Sequence, residues 1–213
     1  MLRHLRFLPL VALVLGLTAP VSAHAAVFTN VNGGNTIITG SSDGTLTTGH
    51  HVMNFPGIGT LTCNSINLQG TASNKEFAEM TMTVGYAGCT FLGKLATINM
   101  QGCDYLFRAN GGFKIASSVE KNCATEPMEI IVTGCTITLG EQEFASGIVY
   151  HPHAAEEATM EMKLTKISGK ATGAGCIIPG AFANGEYTTG NTIFTGESDD
   201  GKQTMKSFGM DTP

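Results

Sequence analysis

The chain has 213 residues, of which 14% are charged and 42% apolar, with 27 glycines and no tryptophan. Twelve basic against 17 acidic residues give a net charge of −5, and nowhere do three basic residues stand together, so the footprint of a nucleic-acid or anionic-lipid binder is missing. So little charge beside so much Gly and Thr suits short strands and tight turns better than solvated helices, within one domain of ordinary size.

Arg3 and Arg6 precede an apolar run from Phe7 to Leu17, and the small residues Ala23 and Ala25 follow. A basic region, a hydrophobic region and an Ala-X-Ala site in that order make residues 1–25 a signal peptide, cut after Ala23 or Ala25. The run is shorter than the roughly 20 residues of a membrane span. No cysteine near the cut offers a lipid acceptor, and no later segment is long and apolar enough to span. The expectation is a free domain over residues 26–213, secreted to the extracellular space or cell envelope, with a net charge of −7 once Arg3 and Arg6 are gone.

Downstream, Gly34-Asn-Thr-Ile-Ile-Thr-Gly-Ser-Ser-Asp-Gly44 matches Gly190-Asn-Thr-Ile-Phe-Thr-Gly-Glu-Ser-Asp-Asp-Gly201 with one insertion, so the first and last hairpins are expected to be built alike. Between Leu61 and Leu68 the apolar positions change from odd to even numbers, which a β-bulge near Asn64 or Ser65 would accommodate. Met80, Met82, Val84 and Tyr86 then alternate with Thr81, Thr83 and Gly85, the period-two pattern of a half-buried strand. The pattern recurs in Cys103, Tyr105 and Phe107, in Cys135, Ile137 and Leu139, and in Met160, Met162 and Leu164. Asn32-Gly33-Gly34, Asp43-Gly44, Asn110-Gly111-Gly112, Asn184-Gly185 and Asp200-Gly201 mark turns, because these residues reach positive φ cheaply. Helical candidates are short, residues 74–80 and 154–159. Many short strands with such turns predict an all-β domain of two packed antiparallel sheets, a sandwich or jelly roll, with a flattened barrel as the nearest competitor.

Cys63, Cys89, Cys103, Cys123, Cys135 and Cys176 all lie beyond the expected cut, and no Cys-X-X-Cys pair occurs. An even, widely spaced set reads as the disulfide framework of an oxidising compartment rather than a metal or redox site. Hairpin geometry selects among the pairings. The strand over residues 61–69 turns back into the one over 80–86, which brings Cys63 toward Cys89; the Asn110-Gly111 turn brings Cys103 toward Cys123; Cys135 and Cys176 then close.

Leu61-Thr-Cys63, Tyr86-Ala-Gly-Cys-Thr90, Asn99-Met-Gln-Gly-Cys-Asp-Tyr-Leu-Phe107, Val132-Thr-Gly-Cys135, the late Cys176 and Gly185-Glu-Tyr-Thr-Thr-Gly190 together resemble a group of secreted, six-cysteine, β-rich proteins of soil actinobacteria. The likeness runs over most of the expected mature chain, and its motifs are cysteines, strand aromatics and glycines. It implies an exported bacterial β-domain and carries over no catalytic residue. The segment from His151 to Glu157 departs from that group's pattern.

Gly40-Ser-Ser-Asp-Gly44 fits Gly-X-Ser-X-Gly by letter, yet a nucleophile elbow needs a strand-to-helix turn, and Thr45-Leu-Thr-Thr48 reads as strand. His151-Pro152-His153 with Glu156 and Glu157 gathers ligand types that suit zinc or copper, and His50 and His51 could complete a set; a solvated loop is the simpler reading. Asp43, Glu197, Asp199 and Asp200 lack the spacing of a calcium loop. The methionines and Tyr86, Tyr105, Phe107 and Tyr150 read as core, and without tryptophan a stacking platform for carbohydrate is poorly supplied. The residues favour a non-catalytic extracellular or cell-envelope module, binding or structural, with no cofactor and with an extracellular ligand or envelope component as partner. The alternative is a small secreted metal-dependent enzyme or hydrolase using His151 and His153.

Overall fold

The computed structural model describes residues 26–30, 36–42, 50–72, 76–152, 158–189, 192–198 and 208–211, so the expected signal segment lies outside the described residues. Among the described residues the chain forms strands and turns and no helix. The strands are β1 (Val27–Asn30), β2 (Thr36–Ser42), β3 (His51–Phe55), β4 (Gly59–Cys63), β5 (Ser65–Ala72), β6 (Glu76–Phe77) and β7 (Glu79–Ala87). There follow β8 (Thr90–Phe91), β9 (Lys94–Asn99), β10 (Cys103–Arg108), β11 (Phe113–Ser117), β12 (Met128–Val132) and β13 (Cys135–Leu139). The last six are β14 (Gln142–Phe144), β15 (Ile148–Pro152), β16 (Ala158–Thr172), β17 (Gly180–Thr188), β18 (Thr192–Ser198) and β19 (Phe208–Asp211).

Four hairpins, β3–β4, β8–β9, β12–β13 and β16–β17, pair side by side: β4 with β8, β9 with β12, β13 with β16, and β17 with β3, all antiparallel. Together they close an eight-stranded barrel, which abolishes the free edges of an open sheet. The expected sandwich or jelly roll is corrected here, in favour of the barrel named as its competitor. Period-two alternation serves both architectures equally, and the ring is closed by Thr136 to Thr138 pairing with Lys170 to Thr172, a contact between strands remote in sequence. Inside pack Met53, Phe55, Leu61, Met128, Ile130, Ile137 and Leu139, each buried side chain worth about 1.5–3 kcal/mol of transfer free energy.

At one end of the barrel the strands run on into a second sheet, ordered β14-β11-β10-β7-β5-β2-β18-β16-β15. The chain thus passes back and forth between the barrel and the second sheet. The phase change between Leu61 and Leu68 is one such crossing: β4 ends at Cys63, β5 begins at Ser65, and Asn64 between them donates its N–H to the Ala87 carbonyl at 3.1 Å. Strand β16 serves both bodies, and it crosses at Lys166, whose φ of 64° accompanies register shifts on either side of Ile167. Residues 74–80 are not helical where described, since Glu76–Phe77 and the strand from Glu79 onward pair with neighbours; of residues 154–159, 158 and 159 open β16. Tertiary pairing overrides the local pattern at the first place, and residues 154–157 of the second lie outside the described residues.

A third sheet, ordered β19-β1-β6, lays the wholly buried Phe28 between the rings of Phe77 and Tyr150, at centroid distances of 5.5 and 5.3 Å. The two similar segments near the ends of the chain form β2 and β18, which are neighbours, with Thr39 opposite its sequence counterpart Thr195. They are partners in one sheet rather than two separate hairpins.

The structure joins Cys63 to Cys89, Cys103 to Cys123 and Cys135 to Cys176, the pairs that hairpin geometry selects. The first clamps two crossings between barrel and second sheet, and the third ties the start of β13 to the β16–β17 loop. That loop passes so close to the β12–β13 turn that a Cβ on Gly173, at φ 110°, would stand 2.3 Å from the Gly134 carbonyl oxygen. Gly173→Ala is therefore expected to cost about 1–3 kcal/mol through strain. Urea unfolding would read this as a lower midpoint at constant slope, and an unmoved midpoint would contradict the close approach.

Candidate functional site

His151 stands on β15 with its side chain 50% exposed and Nε2 3.9 Å from Glu161 Oε1 on β16. His153, Glu156 and Glu157 lie outside the described residues, as do Asp43, Asp199 and Asp200. Gly40, Ser41 and Ser42 are part of strand β2. His51 is on β3, turned into the barrel and 1% exposed, whereas His50 is exposed. His51 and His151 therefore face different environments, one interior and one solvated. Among the described residues no three His, Cys, Asp or Glu side chains converge as a metal-holding group.

Where the barrel meets the second sheet, His51 belongs to a buried polar chain. Its Nδ1 lies 2.8 Å from the Tyr187 hydroxyl, which lies 3.1 Å from that of Tyr86, which lies 2.6 Å from that of Tyr105. Tyr105 donates onward to Met128 Sδ at 3.9 Å. Alternation on β3, β7, β10 and β17 aims all four rings inward, and the rings meet edge-on or tilted at 6.1–6.5 Å. Burial, with His50 a lesser cause, lowers the His51 imidazole to about 4, and burial raises the phenols of Tyr86, Tyr105 and Tyr187. At neutral pH every member is uncharged, so the chain is a satisfied polar clasp between the two bodies.

The outer face of the second sheet carries the other polar assembly. Register places Gln69 of β5 opposite Thr83 of β7, and Tyr105 opposite Met82, so that Asp104 of β10 stands beside Thr83 on the outward row. Thr81 and Leu106 form the next outward pair. After β11 the loop of Ser118, Val119, Glu120 and Lys121 folds over this row, fixed by the Ser118 N–H donating to Gly102 and by the Cys103–Cys123 disulfide. The result is two adjoining grooves, of ≈ 390 and ≈ 580 Å³, that share Thr83, Asp104 and Val119. Gln101 on the wall holds φ at 52°, a left-handed conformation uncommon for a non-glycine residue, with its N–H donating to Asn99 Oδ1 at 3.1 Å.

Asp104 is the unusual member of this face. It is only 8% exposed, its side chain has no hydrogen bond or ion pair among the described residues, and desolvation raises its pKa. The cations nearby are engaged elsewhere: Arg108 with Glu79 and Glu143, Lys114 with Glu141, and Lys121 with Glu126. A desolvated carboxylate opening on a polar groove is a functional-site candidate on physical grounds. Sequence reasoning passed over it because Asp104 occupies an outward position in an alternating strand, where polar residues are ordinary. The available signal was an aspartate, a poor strand former, amid Cys103, Tyr105 and Phe107.

Comparison with known proteins gives no match to a family model, to a curated protein or to a solved structure. The site's own chemistry is accordingly the basis for assigning a role.

Proposed function

We propose that this chain is an exported, non-catalytic binding module whose ligand lies in the groove formed by β5, β7, β10 and the loop over residues 118–121. The observation that carries the proposal is Asp104, a nearly buried carboxylate held without a protein partner at the shared floor of two grooves. A carboxylate with little solvent contact and no protein donor is one that water or an external cation completes, and such perturbed groups cluster at functional sites. Three disulfides are compatible with an oxidising compartment, and the N-terminal signal pattern supports export. The barrel and disulfides supply the rigid frame on which a preorganised groove depends.

The test is a titration of isotope-labelled protein with a defined panel: chitotetraose, cellotetraose, and blocked neutral, acidic and basic tetrapeptides. Amide shifts confined to Gln69, Thr81, Thr83 and Asp104, with the probe recovered intact, are the expected outcome. Shifts centred on His151, or chemical turnover of any probe, would overturn the reading and favour the metal-dependent alternative.

A further inference from the structure

We infer that the groove takes a guanidinium group, with the Asp104 carboxylate as its counterion; the inference rests on the binding reading above and names the chemistry of its ligand. Asp104 lies at the overlap of the two grooves with both oxygens lacking a protein donor among the described residues. A carboxylate so placed is complemented best by a cation that brings its own N–H groups. Glu120 on the same rim carries no ion pair among the described residues and adds a second negative charge, and the chain as a whole is acidic.

The geometry favours guanidinium over other cations. Its planar fork gives two parallel N–H donors to one carboxylate, and its weak hydration lowers the cost of entering a desolvated site. An ammonium is more strongly hydrated and offers no such fork. A divalent ion needs several anionic ligands, and among the described residues no group of three assembles. Beyond Asp104, the hydroxyls of Thr81 and Thr83 and the amide of Gln69 offer oxygens to the outer N–H groups. The Thr83 hydroxyl donates to the Gln69 carbonyl at 3.1 Å, which leaves its own lone pairs to accept. Val119, 98% exposed on the covering loop, presents methyl groups that suit the apolar stem or planar face of such a ligand. Desolvation of the Asp104 carboxyl is consistent with this placement.

The probe is N-acetyl-arginine methylamide, compared with its neutral isostere N-acetyl-citrulline methylamide and with N-acetyl-lysine methylamide. Amide shifts should map the arginine compound to Gln69, Thr81, Thr83 and Asp104. The citrulline compound should bind at least about tenfold more weakly, and Asp104→Asn should weaken arginine binding by at least about the same factor, since hydrogen bonds to charged groups are of that size. Asp104→Asn should melt no lower than the native protein, because it removes a desolvated charge, so weakened binding would not reflect a damaged fold. Equal binding of arginine and citrulline compounds, or arginine binding untouched by Asp104→Asn, would overturn the inference. Lysine binding as tight as arginine binding would overturn the choice of guanidinium. A neutral oligosaccharide that fills the groove equally well in both proteins would also defeat it, while leaving the binding module intact. Absence of groove shifts with every probe would defeat both.

Discussion

Complete reduction of the three disulfides is expected to unfold the domain at room temperature. Their loops span sequence separations of 26, 20 and 41 residues and follow one another without overlap. Each restricts the unfolded chain by about 3–4 kcal/mol, so together they contribute on the order of 10 kcal/mol, comparable with the whole stability of an ordinary domain. The Cys63–Cys89 bridge matters in a second way, because it fixes the crossing at which two strands pass from barrel to second sheet. Circular dichroism and melting of protein with and without reductant would check this, with mass spectrometry confirming that all six thiols are free. An unchanged melt after proven reduction would mean that the barrel holds without its bridges.

Acid is expected to weaken the fold through His51. Burial holds the native imidazole near 4, whereas the unfolded chain titrates near 6.5, so below 6.5 the unfolded state binds more protons. Above that pH this residue contributes no pH dependence. As pH falls from about 6.5 to about 4, stability is lost at up to about 1.4 kcal/mol per pH unit, about 3 kcal/mol in all, and the loss then levels off. Protonation also puts a charge beside the Tyr187 hydroxyl, among phenols that burial keeps neutral. His51→Gln has no such titration, and the difference between native and variant unfolding free energies should shrink across that window. Asp104 acts with the opposite sign: its raised pKa favours the folded state as pH falls. Parallel pH curves for native and His51→Gln would show that the imidazole is not buried uncharged.

The sequence was informative where the chain's own repeat decides the outcome. Alternation in Met80 to Tyr86 and in Cys135 to Leu139 marked β7 and β13, and hairpin geometry marked the first two bridges, with the third left to close, because each joins cysteines consecutive in the chain. The odd-to-even switch after Leu61 was visible as well, but its meaning was not: a bulge within one sheet and a passage between two bodies leave the same trace in the sequence. Barrel closure stayed hidden because it depends on β13 meeting β16, and no local pattern encodes that pairing. The same holds for the His51–Tyr187 contact, made across 136 residues. At the candidate site, the loop over residues 118–121 joins Asp104 in lining one groove, and a loop's path over a sheet has no periodicity to read.

The central claim, that the working surface is the Asp104 groove rather than the His51 chain or the His151 strand, is tested most directly by one comparison. The affinity of N-acetyl-arginine methylamide would be measured for the native protein, Asp104→Asn, His51→Gln and His151→Ala at neutral pH, with folding of each verified by its melt. The account predicts that Asp104→Asn alone loses binding, by at least about tenfold, while the two histidine variants bind as the native protein does. Loss of binding in His151→Ala with Asp104→Asn unaffected would place the site at the β15 edge of the sheet and contradict the account.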